Sequence, residues 1–463
     1  QGRLLTGLEE RWQVVCFPGQ GNYDRLYACT DAAGQALLYR SRSRAAPFLL
    51  EVNCDPTRLG LTGYPTARRY AAVPLCQHLL GYLDGTGHGA AGLEKALDAV
   101  LSGTGEHSSL VCAVTAQGTL RTGETPKLLQ ADSGALGVQL TISRPVQRAV
   151  EAVAASTMTN GCILVLDTAT AAVRASVSVP GYDPEHLADS LQAENSPFLN
   201  RALQSYAVGS VFKPVLAAAA LEAGLQPVFE CTGAVMVDGQ IFRCAGGVPH
   251  GQVDLAAALE KSCNGFFIRL GQQLGAEKLL DAAKVFGFGQ SLPLAEGLAA
   301  EAGQLPAPQE LAQSGQLATP MQVAALFNTF AADGVYRAPY VLQATLDETT
   351  GQPVENLSHP RGRRVIPAQS AALLRTMLVQ VVQQGTAQDA AGLSGGAGGK
   401  TGTAQTGQFT PEGAERCNLW FAGFCPAEKP RYTIVVLQDG AIHTAYSGAD
   451  IFAQVCNALE AAG

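Results

Sequence analysis

Short apolar runs separated by turn residues characterise the first part of the chain. This pattern predicts short strands at residues 14–17, 26–29, 37–40 and 111–114. Apolar residues at spacings of three and four predict helices at residues 74–83 and 93–101. Residues 118–137 are polar and rich in turn residues, so we place a domain boundary there. We therefore expect one domain over residues 1–136 and a second over residues 137–463.

Longer and more regular apolar patterns follow residue 137. They begin with a strand, a helix and two further strands at 163–166 and 173–179, which a hairpin turn joins. The pattern then predicts helices at 253–259, 266–274, 321–332 and 371–382, followed by a strongly apolar strand at 433–437 and a closing helix at 450–462. Strands on both sides of a helical block predict an α+β fold with an antiparallel sheet.

Residues 205–214, Ser-Tyr-Ala-Val-Gly-Ser-Val-Phe-Lys-Pro, predict a turn that leads into a helix. Gly209 permits unusual backbone angles, and Ser210 is favoured at a helix start. Ser210 and Lys213 are three residues apart, so one helical turn places both side chains on one face. A lysine whose pKa is lowered by burial can take the proton of a serine and make it a nucleophile. By itself, a Ser-x-x-Lys sequence also fits a capped helix with a solvated lysine.

Two later motifs change this interpretation. Ser262-Cys263-Asn264 is a Ser-x-Asn sequence, and residues 398–403 read Gly-Gly-Lys-Thr-Gly-Thr. Each alone also fits a structural role, the first as a helix cap and the second as a glycine-rich turn. In this order, however, the three motifs are the signature of serine acyltransferases that react with β-lactams. The chain resembles the penicillin-binding proteins, and specifically the class B transpeptidases.

The resemblance extends from about residue 65 to the end of the chain. Beyond the three motifs, it is carried by residues 138–149, 163–168, 315–322 and 420–424. It implies an α+β penicillin-binding transpeptidase fold, in which an antiparallel sheet has helices on both sides and a helical subdomain. It also implies that residues 1–136 form a smaller, non-catalytic pedestal domain and that residues 137–463 form the transpeptidase domain.

The resemblance assigns the chemistry of the first two motifs. Ser210 is the nucleophile, and Lys213 is its general base. Ser262 relays a proton between Lys213 and the leaving amine. Asn264 hydrogen-bonds the substrate amide and positions Lys213. Together these four residues would break and remake an acyl bond.

The third motif would bind the substrate. Lys400 adds positive charge, and the hydroxyls of Thr401 and Thr403 hold a substrate carboxylate. Gly402 lets the backbone approach the ligand closely. The backbone N–H groups of Ser210 and Thr403 would form the oxyanion hole.

The implied reaction is peptidoglycan D,D-transpeptidation. Ser210 attacks the peptide bond between two D-alanines of a stem peptide, and an amine of a neighbouring stem then attacks the acyl-enzyme. β-Lactams mimic the donor stem and trap Ser210 covalently. We expect no metal and no organic cofactor in this reaction.

Two other functions remain open. A serine β-lactamase can share the first motif, although the long pedestal argues against it, and neither Glu-x-x-Leu-Asn nor Tyr-Gly-Asn occurs after the second motif. A non-enzymatic β-lactam sensor or scaffold subunit of a wall-synthesis complex is the second alternative. The intact Ser210, Lys213 and Lys400 argue against an inactive scaffold.

Charge and hydropathy restrict the partners. With 31 basic and 39 acidic residues the net charge is −8, and no basic run indicates nucleic-acid binding. No stretch approaches ~20 uninterrupted apolar residues, and no signal-peptide pattern occurs at the start. Class B transpeptidases are usually anchored by an N-terminal helix. The resemblance therefore implies the extracytoplasmic face of the bacterial membrane, an anchor absent from this chain, and membrane-embedded cell-wall synthesis partners.

The 12 cysteines occur singly, with neither Cys-x-x-Cys pairs nor histidines at metal-ligand spacing. We interpret them as small buried apolar residues. Cys231–Cys244 and Cys417–Cys425 are candidate disulfides. The sequence does not decide whether these pairs are bonded or remain free thiols. Cys263 lies inside the second motif but lacks a nearby histidine in sequence, which argues against a nucleophilic role.

Overall fold

The computed structural model describes residues 4–7, 9–17, 23–41, 46–71, 74–104, 109–129, 134–237, 239–305 and 316–462. The chain forms two compact units. The first comprises Gln1–Leu75, Asp98–Gly137 and Leu346–Gln352, and the second comprises Cys76–Leu97, Val138–Thr345 and Pro353–Gly463. The division at residues 136 and 137 stays a prediction, and the boundary stretch 118–137 lies partly outside the described residues.

The first unit contains a three-stranded antiparallel sheet. The strands lie in the order Phe48–Val52, Glu9–Cys16, Gly63–Arg68. Alternate residues of Phe48–Val52 are buried, as the two-residue period of a strand requires. The remaining elements are helices Tyr23–Tyr27, Ala32–Ser41 and Asp98–Ser102, the 3₁₀ turn Pro56–Leu59, and paired strands Ser109–Val111 and Lys127–Leu129.

Two strand predictions in this unit are wrong. Residues 26 and 27 are the last two of the helix Tyr23–Tyr27, and residues 28 and 29 follow it. Residues 37–40 lie within the helix Ala32–Ser41. Runs of two to four apolar residues are too short to distinguish a two-residue period from a helical one. The structure also contains a disulfide between Cys29 and Cys54, which the sequence did not indicate. It links the segment after the helix Tyr23–Tyr27 to the segment after the strand Phe48–Val52.

A five-stranded antiparallel sheet forms the centre of the second unit. Its strands lie in the order Gly398–Phe409, Glu415–Cys425, Tyr432–Ala441, Gly161–Asp167, Val173–Val179. The predicted hairpin between the last two strands is confirmed. Gly398–Phe409, which carries the Lys-Thr-Gly motif, is an edge strand of this sheet.

Helices cover both faces of the sheet. The hydroxyl of Thr433 donates a hydrogen bond to Oδ1 of Asn328 in one helix, while the ring of Phe421 packs at a tilt against Phe452 of another helix. Phe421 pairs directly with Val436, and residues 433 and 436 point to opposite faces of the strand. One face is covered by Pro320–Ala331, packed against Ala368–Gln383, and the other by Gly448–Ala462, packed against Arg144–Thr157.

A helical region surrounds the helix Lys213–Glu222, whose first eight residues are all buried. Burial on every side explains its alanine-rich sequence, because there is no polar face to satisfy. Its neighbours are the helices Leu255–Glu260, Asn264–Leu274 and Ala276–Val285. Within the described residues, no helix is both long enough and apolar enough to cross a lipid bilayer.

The remaining elements are short. They are helices Gln77–Leu80, Gly92–Ala96 and Leu187–Ser190, 3₁₀ turns Gly209–Phe212, Ala245–Gly247 and Gln388–Ala390, and strands Leu136–Leu140, Tyr206–Ala207, Phe229–Cys231, Ala234–Val237, Gln240–Arg243, Gly251–Val253, Leu292–Ala295, Leu298–Ala300, Leu317–Ala318, Val335–Tyr336, Leu342–Asp347, Pro353–Asn356 and Arg363–Arg364.

Candidate active site

A tight turn carries Ser210 from a short strand into the buried helix. The 3₁₀ turn Gly209–Phe212 precedes the helix, and Ser210 is half-buried within it. Gly209 has φ +54°, and a Cβ there would lie 2.6 Å from the carbonyl oxygen of Thr403. Only glycine therefore allows the nucleophile turn to approach the Lys-Thr-Gly strand this closely. Ser210 makes no side-chain cap, so its presence here is not explained by helix capping.

Lys213 is held by three oxygens of the Ser-x-Asn turn. Its Nζ donates to the carbonyl oxygen of Ser262 at 2.7 Å, to Ser262 Oγ at 3.1 Å and to Asn264 Oδ1 at 2.6 Å. The lysine is 8% exposed. Burial lowers its pKa to about 8 because the charged form loses hydration. A neutral amine is thus accessible near physiological pH, as a general base requires.

The Ser-x-Asn turn joins two helices and is itself fixed by hydrogen bonds. Ser262 has φ +52°, which is unusual for a residue with a side chain. The residue that caps the following helix is Cys263, whose sulfur accepts the N–H of Phe266 at 3.4 Å. Asn264 Nδ2 donates to the carbonyl oxygen of Arg243 at 2.8 Å, which turns its Oδ1 toward the lysine. Helix capping therefore does not account for Ser262.

Lys400 is fully buried on the edge strand. Its Nζ donates to the carbonyl oxygen of Thr401 at 3.2 Å and, more weakly, to Thr401 Oγ1 at 3.5 Å. Burial, with a further contribution from the positive charge of Lys213, holds the pKa of Lys400 well below its ordinary value.

The residues after Lys400 line the same region. Thr401 Oγ1 lies 2.8 Å from Thr386 Oγ1. A Cβ at Gly402 would lie 3.0 Å from both the carbonyl oxygen of Val208 and Val211 Cγ1, so a side chain there would press on the nucleophile turn. Thr403 is exposed. The structure therefore brings all eight predicted site residues into one region.

Sequence reasoning missed a group of residues behind the Ser-x-Asn turn. Cys231, Cys244, His250 and Cys263 place their ligand atoms within 4.8 Å of one another. Neither candidate disulfide forms: Cys231 and Cys244 are free thiols with sulfurs 3.7 Å apart, and Cys417 and Cys425 are also free. The spacings of 12, 5 and 12 intervening residues fit no short metal-binding motif, so only the fold reveals this cluster.

Comparison with known proteins agrees with this geometry. Residues 161–459 match the family model described as the penicillin binding protein transpeptidase domain. The chain is 31% identical over 485 residues to the peptidoglycan D,D-transpeptidase PbpA of Mycolicibacterium smegmatis, a match that covers 95% of this chain and 89% of the relative.

Solved structures show the same fold. The D,D-transpeptidase domain of a peptidoglycan glycosyltransferase from Eggerthella lenta has a TM-score of 0.70 and 26% identity, covering 87% of this chain and 94% of that one. The ceftriaxone acyl-enzyme of penicillin-binding protein A from Mycobacterium tuberculosis has a TM-score of 0.71 and 25% identity, covering 86% of this chain and 93% of that one.

A Ser-x-x-Lys turn, a Ser-x-Asn turn and a Lys-Thr-Gly edge strand together define a serine acyltransferase that reacts with β-lactams. The chain belongs to the penicillin-binding protein transpeptidase family. The predicted class B resemblance and α+β fold are confirmed. The activity that follows is peptidoglycan D,D-transpeptidation through a serine acyl-enzyme, with β-lactams as inhibitors.

Proposed function

We propose that Ser210 is the acylated nucleophile of this transpeptidase and that Lys213 is its base. The observation that carries this assignment is the burial of Lys213 among the oxygens of Ser262 and Asn264, one helical turn from Ser210. Neutral Lys213 takes the hydroxyl proton of Ser210 while Oγ attacks the carbonyl carbon of the penultimate D-alanine. A bond from oxygen to carbon forms, and the electrons of the carbonyl move onto its oxygen.

Collapse of this intermediate requires a proton on the departing nitrogen. Ser262 Oγ accepts a hydrogen bond from Lys213 Nζ, so Ser262 can pass the proton from the lysine to the leaving D-alanine. The incoming amine then attacks the acyl carbon and loses its proton along the same route in reverse. Ser210 recovers its hydroxyl proton, and the two stem peptides are joined.

The Lys-Thr-Gly strand binds the donor peptide in this proposal. Lys400 has donor capacity beyond its two contacts to Thr401, which suits a carboxylate. Thr401 and Thr403 supply hydroxyls, and Gly402 keeps the strand close to the nucleophile turn. The backbone N–H groups of Ser210 and Thr403 would stabilise the oxyanion.

We place the enzyme on the extracytoplasmic face of the bacterial membrane, held there by an N-terminal helix of the kind that usually anchors class B transpeptidases. Peptidoglycan, its substrate, lies on that face. Residues 1–136 would act as a pedestal that sets the distance of the transpeptidase domain from the membrane. Membrane-embedded cell-wall synthesis proteins would be its partners.

The test of the nucleophile is covalent labelling by a fluorescent penicillin. Ser210→Ala should abolish labelling while leaving the fold intact, and Ser205→Ala, which changes a serine in the same segment, should label normally. Peptide mapping should find the wild-type adduct on the peptide that contains Ser210. Undiminished labelling of Ser210→Ala would contradict the assignment.

The lifetime of the adduct tests the β-lactamase alternative. Hydrolysis needs a second base that activates water beside the acyl-enzyme. Glu296 is exposed, and Glu301 accepts the backbone N–H of Ser205 at 2.8 Å, while Glu310 lies outside the described residues. We expect the adduct to persist over an hour by intact-mass spectrometry after free penicillin is removed. Rapid return to the unmodified mass, with released penicilloic acid, would favour the β-lactamase.

A further inference from the structure

Three thiols and one imidazole converge behind the Ser-x-Asn turn. Cys231, Cys244 and Cys263 are 5%, 3% and 0% exposed, and His250 is half-buried. All four ligand atoms lie within 4.8 Å of one another. Three cysteines and one histidine form a common ligand set of structural zinc sites.

Three of the separations between these atoms match the edges of a zinc tetrahedron. Cys231 Sγ lies 3.7 Å from Cys244 Sγ, Cys244 Sγ lies 3.9 Å from Cys263 Sγ, and Cys231 Sγ lies 3.5 Å from His250 Nδ1. Zinc bonds of about 2.3 Å to sulfur and about 2.0 Å to nitrogen place tetrahedral ligands about 3.8 Å apart for two sulfurs and about 3.5 Å apart for sulfur and nitrogen. These three pairs therefore already have the spacing that a tetrahedral zinc ion requires, and no pair among the four ligand atoms is more than 4.8 Å apart.

Backbone hydrogen bonds hold the ligands in this arrangement. The N–H of His250 donates to the carbonyl oxygen of Cys231 at 3.1 Å, and the N–H of Cys244 donates to that of Gly233 at 3.0 Å. A Cβ at Gly233 would lie 2.2 Å from the carbonyl oxygen of Gly247, so this loop closes only with glycine. The strand Phe229–Cys231, which ends at the first ligand, also pairs with the strand Gly251–Val253, which begins directly after the third ligand, His250.

A disulfide, a reactive thiol or simple apolar packing would each account for only part of this cluster. A Cys231–Cys244 disulfide would leave Cys263 and His250 unexplained, and the sulfurs of the two cysteines are not bonded. A nucleophilic role for Cys263 is opposed by its complete burial. Separate apolar packing of small thiols would not place an imidazole nitrogen against Cys231 Sγ.

We propose that Cys231, Cys244, His250 and Cys263 bind one Zn²⁺ in a closed, four-coordinate structural site. Binding would release the protons of the three thiols, since the thiolate is the ligand form. The N–H of Phe266, which already donates to Cys263 Sγ at 3.4 Å, would stabilise one of these thiolates. Such an ion would be structural, so it is separate from the reaction, for which we expect no metal.

The site would also position the catalytic base, a consequence that rests on the proposed function. Cys263 lies between Ser262 and Asn264, whose side chains both contact Lys213. Asn264 is further fixed by its bond to the carbonyl oxygen of Arg243, the residue before Cys244. Bonds from zinc to Cys263, within the turn, and to Cys244, next to Arg243, would hold the Ser-x-Asn turn against Lys213. The four ligands are positioning residues in this account.

Metal content of the wild-type protein is the first test. Protein reconstituted with Zn²⁺ and then desalted should carry one zinc ion per chain by elemental mass spectrometry. Co²⁺ in its place should give the intense visible bands of a tetrahedral site and a near-ultraviolet thiolate charge-transfer band. Failure to bind either ion, or a Cys231–Cys244 disulfide in the folded protein by peptide mapping, would overturn the proposal.

Variants locate the site. Cys244→Ser and His250→Ala should lose the bound zinc, whereas Cys162→Ala, a change at a buried free cysteine of the central sheet, should retain it. His250 is half-buried, so its variant keeps the test valid if Cys244→Ser does not fold. Full zinc content in His250→Ala and Cys244→Ser would contradict the assignment of these ligands.

Acylation kinetics test the positioning role separately. Removal of zinc by a chelator should slow acylation by about tenfold or more, and added Zn²⁺ should restore the rate. Losses of this size are usual when groups that orient the residues of a metal site are removed. The affinity of the initial penicillin complex should change little. Unchanged acylation after complete zinc removal would refute the positioning role. Zinc stoichiometry does not depend on acylation, so failure of the proposed function would leave the metal test intact.

Discussion

Lys213 and Lys400 are two buried lysines of one site, but their surroundings differ. Lys213 Nζ has three oxygen partners on the Ser-x-Asn turn, the shortest at 2.6 Å. Lys400 Nζ reaches only the oxygens of its neighbour Thr401, at 3.2 and 3.5 Å, among the residues that the structure describes. Burial lowers the pKa of both lysines, to about 8 for Lys213 and well below the ordinary value for Lys400.

This difference separates two tasks that a lysine can perform. An ammonium group has three donors, and those of Lys213 are occupied by groups that fix its position for proton transfer. The donors of Lys400 are incompletely used, and its charge is unfavourable until an anion arrives. We infer that Lys213 transfers protons and that Lys400 recognises negative charge.

The largest expected effect follows removal of the base. Lys213→Ala should slow acylation by ~10²–10⁴-fold, the usual cost of losing a general base. The affinity of the first, non-covalent complex should remain similar, because Lys213 is directed to Ser262 and Asn264. Stopped-flow acylation against penicillin concentration separates the two constants. The exposed Lys278 of the helix Ala276–Val285 provides the control, Lys278→Ala.

Equal losses of affinity and rate in Lys213→Ala would contradict its role as base. They would mean that Lys213 supports ligand binding, as Lys400 is proposed to do. The two lysines would then share one task, and the inference from their hydrogen bonds would be wrong.

A smaller effect should follow removal of the second lysine. Lys400→Ala should weaken initial binding of penicillins by roughly ten- to a hundredfold, which corresponds to loss of one charge-assisted hydrogen bond of ~1.5–3 kcal/mol. The methyl ester of the same penicillin should bind wild type and variant alike, since it has no carboxylate. Lys429→Ala, a change at an exposed lysine, is the control. Equal weakening for acid and ester would show that Lys400 acts through packing alone.

The sequence predicted much of this site because its chemistry is local. Ser210 and Lys213 lie one helical turn apart, so the residues themselves indicate a common face. The contacts of Lys213 with Ser262 and Asn264 join residues 49 and 51 positions apart. No periodicity in the sequence encodes such contacts. Only the resemblance to known transpeptidases predicted that these motifs lie in one site.

The failures of prediction have physical causes too. The helix Ala32–Ser41 was predicted in part as a strand because few of its positions face the core. The residues Cys231, Cys244, His250 and Cys263 come from a strand end, two loop positions and a helix cap, which the fold brings together across gaps in sequence. The domain division at residues 136 and 137 is a separate case that stays a prediction, because it rests on order along the chain, whereas compactness groups residues 76–97 with the second unit.

The pH dependence of acylation should report Lys213. Its base form is neutral and is populated above its pKa of about 8. The limiting acylation rate should therefore rise with pH, by about tenfold per unit below the midpoint, and level off above it. Stopped-flow measurements at saturating penicillin from pH 6 to 10 would show this profile. A rate that falls as pH rises through 8 would contradict proton removal by Lys213.

The smallest expected effect is that of Lys400→Ala on the pH midpoint of acylation, which tests directly whether the charge of one lysine acts on the other. Burial beside Lys213 lowers the pKa of Lys400 and so disfavours its charged form before an anion binds, and we therefore expect its removal to change the charge near Lys213 little. The acylation midpoint of Lys400→Ala, measured with the penicillin methyl ester, should then stay near the wild-type value of about 8. A charged Lys400 would instead depress the pKa of Lys213 by repulsion, so its loss would raise the midpoint. A clear upward shift would show that both lysines carry charge together and that Lys400 tunes the base as well as the ligand.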